Sequence, residues 1–371
     1  GRIIQTKKKS VVNGSLKMVV SGKTTYDAFG RADSTWYPIT EGLNTDSIFN
    51  PGIDTLPPTV AVYDVLDRAL TVTAPDQTET FMEYGFGTDK FGATRFRTMQ
   101  TDALNNIIQQ FKDARGLQTT VIDALNGYTA FTYSPLGELL SSIDPEDNQT
   151  TNLYDGLGRK IQTVHPDAGT SSFVYDEANN LISMQTQNLI NEAAQINYAY
   201  SYNRLKEIHY PDHPQMDVYY EYGDHNAGND AGRITKQQDA SGTQTFSYGK
   251  LGELTKNIHT FVVPGGVTYT FGMNWTYDSW NRLLNITYPD GEVVNYGYNL
   301  GGQLYSVSGT KTTRTYAYIN FVNYDKYGNR TGMEYGNGTL TKYTYNPTTL
   351  RLSNLKSYNS QNEQMQNINY T

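Results

Sequence analysis

His209-Tyr210-Pro211-Asp212-His213 places two imidazoles and a carboxylate within five residues, the donor types of a transition-metal site. The spacing argues against that use, because residues i and i+4 share a face only on a helix and Pro211 belongs to a turn. Asp224-His225-Asn226-Ala227-Gly228-Asn229-Asp230 has the oxygen-rich character of a calcium loop. Its glycine stands one position early, however, and the twelfth position is Thr235 rather than a bidentate Glu. Both segments therefore read as turns or loop insertions. Nucleophilic catalysis has little support either. The five histidines are His165, His209, His213, His225 and His259, four of them in or beside turn segments, and no Gly-x-Ser-x-Gly elbow or phosphate-cradling Gly-Lys loop is present. Glu146-Asp147 reads as a solvated turn rather than an acid and base pair, since no surrounding apolar run would separate their pKa values. With no cysteine, thiolate metal sites and disulfides are excluded and the redox compartment stays open. The expectation is a protein that is not an enzyme, with no catalytic residue, cofactor or metal.

The remaining chemistry is recognition. Trp36, Phe271, Trp275, Tyr277 and Trp280 are the richest aromatic group and could stack on sugar rings, although packing within a sheet is the stronger expectation. The 371-residue chain carries a formal charge of −8 and only one basic cluster, Lys7-Lys8-Lys9, which reads as a solvated turn. Nucleic acid is thereby an improbable partner, because neutralising phosphates needs clustered Lys and Arg. No apolar run of about 18 residues exists to span a membrane as a helix, so membrane insertion is not expected. Thirty-one residues are Tyr, while charged residues make up only 18 %. The aliphatic share is too small for a thick two-layer core, so folding must rely on Tyr.

The positioning elements follow from a repeat. Aromatic-Asp-x-x-Gly-Arg appears as Tyr26-Asp27-Ala28-Phe29-Gly30-Arg31 and Tyr154-Asp155-Gly156-Leu157-Gly158-Arg159. It drifts at Tyr63-Asp64 to Arg68, Tyr277-Asp278 to Arg282, and Tyr324-Asp325 to Gly328-Asn329-Arg330, with a weaker copy at Tyr175-Asp176. Tyr133, Tyr154 and Tyr175 are 21 residues apart, as are Tyr277 and Tyr298. A second punctuation, such as Asp123-Ala124-Leu125-Asn126-Gly127 and Pro289-Asp290-Gly291, alternates with the first, so each repeat holds two turns and two strands. Asp opens each turn by accepting backbone N–H groups, and the late Gly or Asn takes the φ > 0 position. In the four-residue loop Asp155–Gly158, Tyr154 and Arg159 are expected as the flanking paired residues. Between turns the pattern has period two, as in Leu284, Ile286 and Tyr288.

Together these features predict an all-β fold, an antiparallel meander of hairpins. Leu104, Ile107, Ile108 and Phe111 fit helical spacing, but the repeat register makes 107–111 a strand. A short helical turn fits the insertion at 189–194. Residues 38–59, with Pro51, Pro57 and Pro58, read as a long surface loop. Residues 1–20 read as a clipped leading repeat, and 21–371 as the array, clipped at its C-terminal end. Gly1-Arg2 would be the tail of one motif and Tyr370-Thr371 would precede another.

Tyr154-Asp155-Gly156-Leu157-Gly158-Arg159 and its copies strongly resemble the YD repeat of Rhs proteins, toxin-complex B and C components, and teneurins. The resemblance covers nearly the whole chain. It implies a curved, spiralling single-layer sheet that forms the open part of a hollow Tyr-lined shell, and a secreted or surface-exposed setting. In toxin members the shell encloses a C-terminal effector; in teneurins it belongs to an adhesion module. The implied partners are the remainder of the parent chain, with a glycan or surface protein as the alternative, and unpaired edges would favour self-association. No block resembling the closing core of Rhs shells, with its aspartyl self-cleavage site, is found.

Overall fold

The computed structural model describes residues 3, 5–263 and 265–370; the Gly1-Arg2 motif tail and Thr371 lie outside them. Strand accounts for 55 % of the chain and helix for 3 %. Among the described residues the α-helix is the single turn Gln187–Asn191, in the insertion where a helical turn was expected. Ile107–Lys112 is a strand paired on both sides. Among the described residues, twenty-nine strands belong to one long antiparallel sheet, and three more form a small sheet of their own.

Local chemistry explains the hairpins. At Asp155–Arg159 the Gly158 N–H donates to the Asp155 carbonyl at 3.0 Å, and the Asp155 N–H to the Arg159 carbonyl at 2.9 Å. Gly158 is left-handed, at φ +76°. This is a three-residue loop, a β-turn followed by a left-handed residue that bulges one strand. The register therefore differs from the four-residue expectation: Tyr154 pairs with Lys160 across a bulge, and Arg159 lies opposite Asp155. Drifted copies put Asp67 (φ +61°) and Asn281 (φ +59°) at the left-handed position. A side chain with a branched β-carbon is an outlier there. Gly158→Val is accordingly expected to lower the urea midpoint more than Gly156→Val, since a β-carbon at Gly156 meets nothing within 4 Å while one at Gly158 meets Glu138 Oε1 at 3.1 Å. The opposite ranking would refute the turn assignment.

The chain divides into two compact units, Glu83–Asn274 and Gly1–Met82 with Trp275–Thr371. In the first, the sheet has little dry interior. Phe111 is 3 % exposed and Ala130 is fully buried, but Thr119, Thr120, Ser134, Ser141 and Asn152 are buried beside them. Hydroxyl pairs replace hydrocarbon: Thr132 Oγ1 meets Ser141 Oγ at 2.6 Å, and Thr163 donates to Asn152 Oδ1 at 2.9 Å. Such cross-strand pairs are the unit of stability where a sheet has no second layer over it.

The other unit departs from the sequence expectation. Residues 7–20 do not continue the array as a leading repeat. They form a hairpin, β1 (Lys7–Val12) and β2 (Ser15–Val20), turned by Asn13-Gly14 with both residues at φ > 0. The chain then contributes β3 (Thr24–Tyr26) and β4 (Ala32–Thr35) to the long sheet, and β5 (Ile39–Glu41) pairs with β2 in the small one. Lys7-Lys8-Lys9 is thus a strand rather than a solvated turn, with Lys7 Nζ 2.5 Å from Glu41 Oε1. This small sheet is a cover. Its Met18 and Val20 are fully buried, and β1 lies against the strand Arg314–Tyr324, with the Asn13 N–H donating to the Tyr324 carbonyl at 2.8 Å. Val322, Met333 and Thr341, directly paired across three strands, are buried on the long sheet. Segment 38–59 is likewise tied down rather than a free surface loop. It contains β5, the buried Asp54 forms an ion pair with Lys326, and Tyr37 just before it meets Tyr327 edge-on at 5.4 Å.

Candidate functional site

The repeated motif supplies the densest side-chain chemistry in the molecule, and it is directed at neighbouring turns. Asp155 Oδ1 accepts the Leu157 and Arg159 N–H groups at 2.9 and 3.0 Å, while its Oδ2 accepts Arg159 Nε at 2.7 Å. Arg159 does not stop at its own turn. Its Nη1 donates to the Asp176 carbonyl at 2.7 Å and to Asn179 Oδ1 at 3.0 Å, both in the next turn of the same kind. Its guanidinium lies over the Tyr175 ring at 5.1 Å, and Tyr175 in turn donates its hydroxyl to the Lys160 carbonyl at 2.9 Å. This turn is stitched to the next by an arginine going forward and a tyrosine coming back.

The stitch recurs. Arg31 binds Asp27 Oδ2 and donates to the Asp64 carbonyl at 2.6 Å, and Tyr63 returns to the Ala32 carbonyl at 2.8 Å. Arg68 Nε reaches Asp64 Oδ2 at 2.7 Å. Arg282 binds Asp278 and lies 4.6 Å over Tyr298, which donates to the Leu283 carbonyl at 2.9 Å. Tyr154 and Tyr324 make the same return bond, to the Leu139 and Leu304 carbonyls. The copy at Tyr324 departs from the expected roles. Asn329, not Arg330, occupies the arginine's place and donates to Asp325 Oδ2 at 3.1 Å, although Gly328 is left-handed at φ +88°. Tyr26 and Tyr277 are half-buried.

These contacts set the electrostatics. The Arg159 backbone N–H and then its guanidinium hold the Asp155 carboxyl below the usual carboxylate range; Asp27 and Asp278 are lowered likewise by Arg31 and Arg282. Asp102, Asp144 and Asp176 are lowered first by the side-chain amides of Asn106, Asn148 and Asn180. A carboxylate held ionised by fixed donors is a turn anchor and a poor proton carrier. A larger perturbation lies on the hairpin Leu304–Tyr324, where hydrogen bonds to Glu292 and then to Tyr316 push the Tyr318 hydroxyl well above the ordinary phenol range. Tyr316 donates to the same Glu292 oxygen at 2.7 Å.

Of the five aromatic residues expected to stack on a ligand, Phe271, Trp275 and Tyr277 lie on one strand, Thr268–Tyr277, Trp280 in the turn that follows it, and Trp36 after β4. Phe271 is 45 % exposed and packs edge-on against Phe261 at 5.9 Å. Trp280 is 75 % exposed in its turn, with the Arg282 guanidinium 5.0 Å over its ring. Trp36 follows β4, its N–H bonded to the Lys23 carbonyl, and Trp275 and Tyr277 are half-buried in the strand Thr268–Tyr277. In the calcium-like segment Asp224 accepts the Asn226 N–H, and Asp230 accepts the Tyr248 N–H at 2.9 Å. The sequence singled out Asp212 and His213 as neighbours of His209. Glu207, two residues before it on the same strand, and Asp217, delivered by the connection to the next strand, stand there instead.

No protein-family model and no curated protein matches the chain. Solved structures do match in fold. A crystal structure of TcdB2-TccC3 superposes with a TM-score of 0.80 at 19 % identity, covering 100 % of this chain and 21 % of that one. TcdB2-TccC3 without its hypervariable C-terminal region gives 0.79 at 20 % identity, and a Photorhabdus luminescens Tc holotoxin pore gives 0.79 at 19 %, each with the same coverage. The chain thus spans about a fifth of the length of the chains it matches. The Tyr-Asp turns carry the resemblance to YD repeats in sequence, and in fold the whole chain is similar to part of TcdB2-TccC3.

Proposed function

We propose that this chain is a non-catalytic wall segment of a larger, secreted or surface-exposed YD-repeat protein, and that it encloses or presents another region of the same polypeptide. The observation that carries the reading is the stitch: the motif's Asp, Arg and Tyr groups are engaged in linking one turn to the next. The fold match to TcdB2-TccC3 supports it, as does the description of one matched structure as lacking a hypervariable C-terminal region. A wall of this kind presents backbone edges, which favour pairing with neighbouring strands of the parent chain or with a second copy.

The test is limited proteolysis of a parent polypeptide containing this chain and its C-terminal region. Enclosure predicts that the C-terminal region survives protease doses that digest it when expressed alone; equal digestion would defeat the proposal. Adhesion is the competing reading, favoured by the exposure of Trp280. On a glycan array the wall reading expects no selective ligand, and selective binding lost in Trp280→Ala would carry the alternative.

A further inference from the structure

We propose that Glu207, His209 and Asp217 form a site for one divalent transition-metal ion of the zinc type. One ligand atom from each lies within 4.8 Å of the others. Glu207 and His209 are two residues apart on the strand Arg204–His209 and so share a face. Asp217 immediately precedes the partner strand Val218–Tyr222, in which Tyr219 is directly opposite Glu207. The single 3-10 turn Pro214–Met216 delivers Asp217 to this face.

The site is built before any ion arrives. Asp217 is 6 % exposed; its Oδ1 accepts the Tyr210 N–H at 2.8 Å, and its Oδ2 lies 2.7 Å from His209 Nδ1 and 3.3 Å from the Tyr219 hydroxyl. The Glu207 carboxylate is a different matter. Among the described residues it makes no hydrogen bond or ion pair, although it is half-buried and faces the second carboxylate. Two anions converging on one imidazole repel each other in a partly desolvated place, and a divalent cation between them turns that repulsion into attraction.

One imidazole nitrogen with two carboxylates is a mixed nitrogen and oxygen set. It suits zinc and its neighbours better than calcium or magnesium, which take oxygen ligands in larger number. Tetrahedral zinc at roughly 2.1 Å from each ligand needs ligand atoms about 3.4 Å apart, within the span already present. On binding, the imidazole changes tautomer, its Nδ1 proton passing by way of solvent to Nε2, and the Nδ1 lone pair of the neutral ring coordinates the ion. Water completes the coordination, and the Tyr210 N–H continues to orient Asp217.

Titration of the intact chain with zinc chloride by calorimetry, paired with thermal unfolding, tests the assignment. A 1:1 site and a rise in melting temperature of several degrees are expected. Glu207→Gln and His209→Gln should each weaken binding at least tenfold while leaving the far-ultraviolet spectrum unchanged, whereas His213→Gln should bind as the parent does. Calcium chloride should give no comparable site. The proposal is overturned if no 1:1 zinc site appears, if either ligand variant binds as tightly as the parent, or if calcium is preferred. Asp217 is left intact because its carboxylate also holds the Tyr210 backbone.

Discussion

Met18→Ala is expected to destabilise the unit that contains it by about 2–5 kcal/mol, the range for removing a large side chain from a packed core. Met18 is fully buried in the cover formed by β1, β2 and β5, beside the equally buried Val20. Domains are stable by only about 5–15 kcal/mol, so the loss is a large share of the total. The Asn13 N–H ties the small sheet to the strand Arg314–Tyr324, and the Lys326–Asp54 ion pair holds the segment that follows β5. Native-state hydrogen exchange should show the loss in β1, β2 and the strand Arg314–Tyr324. Protection within Glu83–Asn274 should be nearly unchanged, because stability in a repeat array is carried by nearest neighbours. A shift in urea midpoint no larger than that of an exposed substitution would show that the cover is incidental.

Acid should unfold the chain steeply. Asp27, Asp102, Asp144, Asp155, Asp176 and Asp278 all have their pKa lowered in the fold by backbone and side-chain donors. A group whose folded pKa is depressed contributes stability that is present above its unfolded pKa, about 3.9 for Asp, and is lost as pH falls through the folded value. One such exposed turn would contribute little. The repeat multiplies it, so the urea midpoint is expected to stay level from pH 8 to about 5 and then to collapse below about 4. Raising the salt concentration should not reproduce the collapse, since hydrogen bonds from fixed N–H groups are screened far less than charge pairs. A midpoint that stays level through pH 3 would contradict the anchoring role of these carboxylates.

The parts of this structure legible in the sequence are the local ones. Asp at the head of a turn, with Gly or Asn at its left-handed end, is decided within five residues. Asp155 and Gly158 therefore declared the hairpin, and the 21-residue period overruled the helical spacing of Leu104 to Phe111. What escaped depends on partners distant in sequence. The motif marks Arg159 as a residue of its own hairpin, and nothing within it says that its Nη1 reaches the carbonyl of Asp176, 17 residues on. A local signal for the cover does exist. Asn13-Gly14 between two runs that end Ser-Val-Val and begin Ser-Leu is the strongest short hairpin cue, and three lysines before it drew attention to charge instead. Asp54 looked like part of a proline-rich loop because its partner, Lys326, is 272 residues away.

Where the motif keeps its arginine, as at Arg31 and Arg159, its Tyr, Asp and Arg tie one turn to the next, and hydrogen exchange on Arg159→Ala tests this most directly. Removing the guanidinium takes away the bonds to the Asp176 carbonyl and Asn179 and the contact over Tyr175, while Asp155 Oδ1 keeps both of its backbone bonds. The account predicts that protection falls in the turn Asp176–Asn180 as well as in Asp155–Arg159. Loss confined to Asp155–Arg159, with the following turn protected as before, would contradict it.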